Sequence, residues 1–224
     1  MKRSEINVAI NETLRFLEGM NIRLPKWGYW KPSEWKGKNE LAADIINNGL
    51  GWDITDFGTD DFKNTGLINF NTRNGSLVKP DKPYCEKILI VRENQVTPMH
   101  THISKKEDII NRGGGNLVIQ LFNGDLKGNL NDKDVTVKID SLPVTVRAGG
   151  TVTLEPGESI YLVPGVYHKF WGENGKGQVM VFEVSSVNDD EKDNVFVDAN
   201  PRFPVIEENE PPVYLLVNDY KKYL

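Results

Sequence analysis

The 224-residue sequence contains one cysteine and only three histidines. A lone thiol, Cys85, cannot form an internal disulfide, which excludes the disulfide-stapled folds of small secreted domains and fits a reducing cytoplasm. As a nucleophile Cys85 is a poor candidate, and a structural or incidental role is expected. No run of about 18 apolar residues is present, and no charged-then-apolar leader opens the chain, so neither a membrane span nor a secretory signal is expected. Positive charge is not in surplus either. The 27 Lys and Arg are outnumbered by 32 Asp and Glu, for a net charge of -5, which argues against nucleic acid or an anionic membrane as partner.

What is present suits an ordinary soluble globule with material for a sizeable core: 38% hydrophobic and 26% charged residues. The first stretch reads as an amphipathic helix, capped by Ser4, with Ile6, Ala9, Ile10, Thr13, Leu14, Leu17 and Met20 on one face and Gly19 and Asn21 at its end. A Pro/Trp-rich connector follows, and its exposed tryptophans, from Trp27 to Trp35, suggest an interface. Ser33 is positioned to cap a short helix, and a further segment carries Leu41, Ala42, Ile45 and Ile46 before Asn48-Gly49 stops it. From residue 50 the pattern changes to short strands. Ile68–Thr72 alternates and Asn74-Gly75 is a tight-hairpin dipeptide. Further strands are expected at Lys87–Val91, Leu117–Phe122, Val135–Ile139, Val144–Val146, Val152–Leu154, Ile160–Val163 and Gln178–Val187. Many short strands with Gly/Pro turns indicate a sandwich or barrel. The expected organisation is one domain, 1–224, with a helical extension over 1–50, a barrel over 51–188 and a C-terminal tail over 189–224 packed across it.

All three histidines stand where one metal ion would need them. His100 and His102 share a strand face, Glu107 follows five residues later, and His168 ends Pro164-Gly165-Val166-Tyr167-His168. Glu107 has the wrong parity to join the pair on a continuous strand, so a bend or strand change around Ile103–Lys106 is required. Three imidazoles and a carboxylate suit a divalent ion and leave positions open on an octahedral centre for a chelating substrate. Four-coordinate structural zinc is disfavoured because such sites usually use cysteines.

The pattern His100-x-His102-x4-Glu107, then Gly113, then Gly157 and Pro164-Gly165-x2-His168, resembles the two metal motifs of the cupin superfamily. It implies a mainly β fold, a cupin-type double-stranded β-helix barrel. Three positions depart from the pattern. Asn94 stands where a glycine usually opens the first motif, Pro164 and Gly165 are adjacent, and Gly172 replaces a closing asparagine. Longer stretches resemble bacterial D-lyxose isomerases across nearly the whole chain: Gly51–Gly58, Val96–His100, Lys105–Gly115 and Arg202–Glu208. That resemblance implies a manganese-dependent aldose–ketose isomerase, a homodimer that converts D-lyxose to D-xylulose and often D-mannose to D-fructose.

Such a reaction moves a proton between C1 and C2. A metal chelating both oxygens stabilises the enediolate, and a nearby carboxylate shuttles the proton; a hydride shift is the competing route. Glu107 is the first candidate for both ligand and base-side participant. Lys105 shares its parity and could stabilise developing charge or be a solvated lysine. Glu183 interrupts the apolar run Val179–Val184 and either faces the cavity or sits on an outer face. Glu207 lies in an acidic run, and the family resemblance implies a place at the barrel mouth. Arg202 would suit sugar hydroxyls or a carboxylate partner. Lys87 enters the barrel or snorkels to its rim, and Trp52 and Phe170 offer the sugar an apolar face or simply fill core. Gly113-Gly114-Gly115 reads as a tight turn next to the site. The rival functions are a phosphosugar isomerase or iron dioxygenase on the same barrel, and a sugar-binding cupin without catalysis.

Overall fold

Strict alternation between two apolar environments shapes the strands, as over Tyr84–Val91, where odd and even residues face different cores. The structure is a computed structural model describing residues 1–76, 78, 82–198 and 201–224. Its helices are α1 (Arg3–Gly19), α2 (Pro32–Trp35), α3 (Ala43–Asn47) and α4 (Tyr220–Tyr223). Its strands are β1 (Gly51–Thr55), β2 (Leu67–Asn74), β3 (Tyr84–Val91), β4 (Thr97–His102), β5 (Glu107–Gly114), β6 (Leu117–Gly124) and β7 (Leu130–Asn131). They continue as β8 (Val135–Ile139), β9 (Leu142–Val146), β10 (Thr151–Leu154), β11 (Ser159–Leu162), β12 (Val166–Gly172), β13 (Val179–Ser186) and β14 (Asn194–Phe196).

The strands form an eight-stranded sheet, ordered β1-β2-β3-β13-β5-β11-β8-β9, and a six-stranded sheet, β10-β6-β12-β4-β14 with β7 beside β6. All ladder pairings between these strands are antiparallel. Between the sheets lies one core, including Leu89, Val91, Ile109, Ile119, Leu121, Val179 and Val181. A second core lies on the outer face of the larger sheet, where Ile54, Ile68, Phe70, Ile88, Ile90 and Met180 meet Ile6, Ala9, Ile10 and Leu17 of α1. On β3, Leu89 and Val91 therefore point into the barrel while Ile88 and Ile90 point at α1, the two-residue period of a pleated strand covered on both faces. The expected mainly β architecture with an N-terminal helix is what the chain adopts.

Several local expectations are corrected. Ser4 lies inside α1, which begins one residue earlier, and its hydroxyl accepts a hydrogen bond from Asn209 Nδ2 at 2.9 Å instead of capping. Ser33 likewise sits within α2, whose first residue is Pro32, a position where the missing N–H costs nothing. Asn74-Gly75 makes no two-residue hairpin. Asn74 still pairs with Cys85, so the connection spans 75–83, and Asn74 instead donates to Asn48 O and Asn188 O at 3.2 and 3.0 Å. The tryptophan connector is not an exposed patch. Trp27 stacks on Phe70 with centroids 5.2 Å apart, and Trp35 packs against Tyr220 at 5.0 Å. The glycine run is remote from the histidines, at the opposite end of β5 from Glu107. It serves close backbone approach there: a Cβ on Gly114 would lie 2.3 Å from Gln178 O. No strand was expected at β1, β7, β12 or β14.

Two of the motif departures have a structural reason. Asn94 adopts a left-handed φ of 58°, which asparagine tolerates better than most side chains, so it fulfils the turn role of the usual glycine. A Cβ on Gly172 would stand 2.8 Å from Arg92 O, because the backbones of residues 92–94 and 172 exchange hydrogen bonds there. Only glycine fits that approach.

Candidate active site

The barrel interior is apolar at one end and charged at the other, and the same inward-facing rows of the strands supply both halves. Val179 and Val181 on β13 are followed inward by Glu183, Leu89 on β3 is preceded by Lys87, and Ile109 on β5 is preceded by Glu107. From the smaller sheet, β4 and β12 bring His100 and His168 opposite each other in register. Between β4 and β5 the chain crosses from one sheet to the other over residues 103–106. The required strand change is thus present, and it turns Glu107 to face the histidines.

His100, His102 and His168 are buried, and one ring nitrogen of each lies within 4.8 Å of the others. Glu107 Oε1 stands 3.3 Å from His102 Nε2 and 3.2 Å from His168 Nε2. The rings are held from behind. Pro98 O lies 2.7 Å from His100 Nδ1 and Val166 O lies 3.3 Å from His168 Nδ1. A carbonyl only accepts, so Nδ1 carries the hydrogen and each Nε2 keeps its lone pair for a ligand. Asp193 Oδ2 sits 3.6 Å behind His102 Nδ1. Both ring nitrogens of His102 and Oε1 of Glu107 are buried without a hydrogen-bond partner. Unpaired buried polar atoms of this kind are costly, and a divalent cation among neutral imidazoles and a carboxylate would satisfy His102 Nε2 and Glu107 Oε1. The residues fit a metal. Burial holds the His100 imidazole well below its ordinary pKa, reinforced by His168 and His102, and burial lowers His102 with help from Lys105. Both shifts favour the neutral, ligating form.

Behind the histidines runs an alternating series of buried charges. Lys105 Nζ bridges Glu107 Oε2 at 2.8 Å and Glu183 Oε1 at 2.7 Å. Lys87 Nζ lies 3.6 Å from both Glu183 Oε1 and Asp190 Oδ1. Arg202 Nη2 lies 3.4 Å from Asp190 Oδ1 and also bonds Asp53 Oδ2. Each sign is flanked by the other, which is how charges persist in a low-dielectric interior. Burial pushes the Glu107 and Glu183 carboxyls up, but Lys105, joined at Glu183 by Lys87, overcomes it and holds both below the ordinary carboxylate value. Burial opposes the charge of Lys105, yet Glu107 and Glu183 hold its pKa above the usual value.

A narrow cleft opens on this constellation. Of the residues singled out from the sequence, His100, His102, His168, Glu107, Lys105, Glu183, Lys87, Phe170 and Arg202 line it. Two do not. Trp52 faces α1 in the outer core, with Nε1 donating to Gly28 O at 3.1 Å; its neighbour Asp53 has the inward parity. Glu207 is exposed beside the start of α1, where its backbone bonds Met1 and Arg3. Cys85 is fully buried, and burial pushes its thiol up to about 12. The sequence reading missed Asp190, Asn69, Thr97, Asn194 and Phe196, which line the cleft, and Asp193. Asp190 and Asp193 sit in an acidic stretch that looks solvated, whereas the inward parity of Asn69 was readable from the alternation of Ile68–Thr72.

Comparison with known proteins places this geometry in context. The family model for D-lyxose isomerase matches residues 1–220. The chain is 46% identical over 227 residues to the D-lyxose/D-mannose isomerase of Serratia proteamaculans, and 45% identical over 226 residues to that of Escherichia coli O157:H7; each match covers all of both proteins. Among solved structures, the L-ribose isomerase of Acinetobacter sp. DL28 in complex with L-ribose superposes with a TM-score of 0.63 at 16% identity, covering 92% of this chain and 98% of that one. The Cellulomonas parahominis L-ribose isomerase with L-psicose gives 0.62 at 15% identity over the same shares.

Proposed function

The chain belongs to the D-lyxose isomerase family, and from that premise we propose that it interconverts D-lyxose with D-xylulose and D-mannose with D-fructose in the cleft between its sheets. The observation that carries this reading is the convergence of three buried imidazoles and Glu107, with ligand atoms unsatisfied, beside a second carboxylate. His100, His102, Glu107 and His168 would hold a divalent cation, which the family resemblance makes manganese. The chemistry such an ion supplies is Lewis-acid polarisation of the sugar carbonyl, which acidifies the neighbouring C–H.

The chain's own groups do the rest. Glu183 takes the proton from C2 of the aldose and returns it to C1, while the hydroxyl hydrogen on O2 passes to O1, so that the carbonyl moves from C1 to C2. The partners described for Glu183 engage Oε1, which leaves Oε2 for the substrate. Lys105 keeps Glu183 ionised before the sugar arrives and lies close enough to donate to an oxygen that gains charge. A carboxylate held below its ordinary value is a weak base, so the transfer depends on that acidification of the C–H. Phe170 and Phe196 wall the cleft and limit water beside the reacting carbons. The same reading takes the chain as one cupin domain and a homodimer. It places the chain in the cytoplasm, where a single unpaired cysteine is at home.

Ketose formation from D-lyxose by the manganese-loaded protein under anaerobic conditions tests the reading. His100→Ala and Glu107→Gln should abolish it with folding retained. Glu183→Gln should lower kcat by about 10²–10⁴ while metal affinity stays within a few-fold. Absence of ketose from every aldose, despite bound metal, would overturn the isomerase assignment; full activity in Glu183→Gln would remove that residue from the proton transfer.

A further inference from the structure

Besides the His102 and Glu107 atoms, the cleft holds three buried polar atoms without partners, Thr97 Oγ1 on the histidine strand β4 and, on the side of the larger sheet, Oδ1 of Asn69 and Nη1 of Arg202. For Asn69 the orientation follows from the hydrogen-bond network. Asn71 donates from Nδ2 to Gly49 O at 2.8 Å; a carbonyl only accepts, so the Asn71 amide cannot be flipped. Asn71 Oδ1 then accepts from Asn69 Nδ2 at 3.1 Å, which fixes the Asn69 amide in turn and leaves Oδ1 as its free end. Asn69 pairs with Asp53 across β1 and β2, and Asp53 is the carboxylate bound by Arg202. The unsatisfied acceptor and the unsatisfied donor therefore flank the same aspartate.

The guanidinium between Asp53 and Asp190 has its charge already matched. It offers a directed N–H and no attraction for a phosphate. An acceptor and a donor that line one cleft and share Asp53 as neighbour suit a hydroxyl group, which gives a hydrogen to the first and takes one from the second. Asn69 stands on β2, two strands from Glu183 on β13, or roughly 10 Å at the backbone. With side chains projecting inward, that separation suits the length of an open-chain sugar whose first two carbons lie at Glu183.

Resting on the isomerase reading above, we infer that Asn69 and Arg202 read a hydroxyl on C4 or C5 of an unphosphorylated aldose and set specificity at the end remote from the reacting carbons. The pair forms no part of the proton transfer. Its binding energy is spent on aligning C1 and C2 with Glu183.

The test compares D-lyxose with 4-deoxy- and 5-deoxy-D-lyxose in the manganese-loaded protein. In the unaltered enzyme, kcat/KM falls roughly ten- to a hundredfold on one of the two deoxy sugars, because both buried groups lose their partner. In Asn69→Leu that preference collapses to near unity, since the acceptor is gone whichever sugar is bound. Arg202→Lys keeps a cation between Asp53 and Asp190 but removes Nη1, and it narrows the same preference should Asn69→Leu fail to fold. A purely structural role would lower kcat/KM on all three sugars alike and leave the ratio untouched; an unchanged ratio in the folded variants overturns the inference. Failure of the unaltered enzyme to isomerise D-lyxose would instead overturn the isomerase reading, so the two failures are distinct.

Discussion

Asp193 does not line the cleft, yet its carboxylate stands 3.6 Å behind His102 Nδ1. Its Oδ1 accepts from the Ser104 backbone and hydroxyl at 2.9 and 2.7 Å, and its Oδ2 accepts from the Lys105 backbone at 3.1 Å while facing His102 Nδ1. One carboxylate thus shapes the crossing between the sheets and faces the histidine that precedes it. Outer partners of metal-bound histidines fix the tautomer and raise ligand basicity, and their loss typically costs about 10–100-fold in metal affinity. Asp193→Ala should weaken manganese binding by that factor in a competition titration against a chelator. Affinity equal to that of the unaltered protein would show that His102 is oriented by packing alone. Nothing in the sequence marks Asp193 out: it sits between Lys192 and Asn194 in an acidic stretch, and its importance arises only when β14 lies against β4.

Single elements divide stability from chemistry by face. α1 covers the outer face of the larger sheet, and Ile10, fully buried there, touches the core opposite the cleft. Ile10→Ala should cost about 2–5 kcal/mol, read as a lowered midpoint in urea denaturation, with manganese affinity unchanged. A loss of metal binding in the folded variant would mean that the helix also tunes the site. The same two-faced pattern explains what could be read in advance. Helix α1 and most strands were legible because their periodicity is strong. The clustering of the three histidines was legible because that residue type is rare in this chain. Parity could have separated Trp52 from Asp53, since Ile54 and Thr55 continue the same alternation. Contacts across more than a hundred residues were not legible. The Asn74–Asn188 clasp draws β2 into a longer strand than its hairpin dipeptide suggests, and the close backbone approach expected at Gly113-Gly114-Gly115 is made to Gln178, away from the histidines.

At the scale of the molecule, the start of the chain is fastened to its end. Arg3, completely buried, donates to Glu208 at 2.8 and 2.9 Å and to Asp219 at 2.9 and 2.8 Å. Both carboxylates come from the C-terminal tail, so α1 is pinned where it begins to cover the sheet, and Glu207 and Glu208 serve this clasp instead of the cleft. The Arg3 hydrogen bond holds the Glu208 carboxyl down, from an ordinary 4.5 to about 2. A depressed carboxyl stabilises the fold fully above its ordinary value, and that contribution drains away as pH falls from 4.5 through about 2. Glu208 is 35% exposed, so solvent screening keeps its share to about 1 kcal/mol or less, a shift of roughly 2–4 °C for a chain of this size. Melting temperatures of the native protein and of Glu208→Gln, measured in steps from pH 6 to pH 2, isolate that share from the other carboxylates. The native protein should melt higher at pH 6, and the two curves should converge near pH 2. Parallel curves across the range would show that the clasp at Arg3 is carried by Asp219 alone.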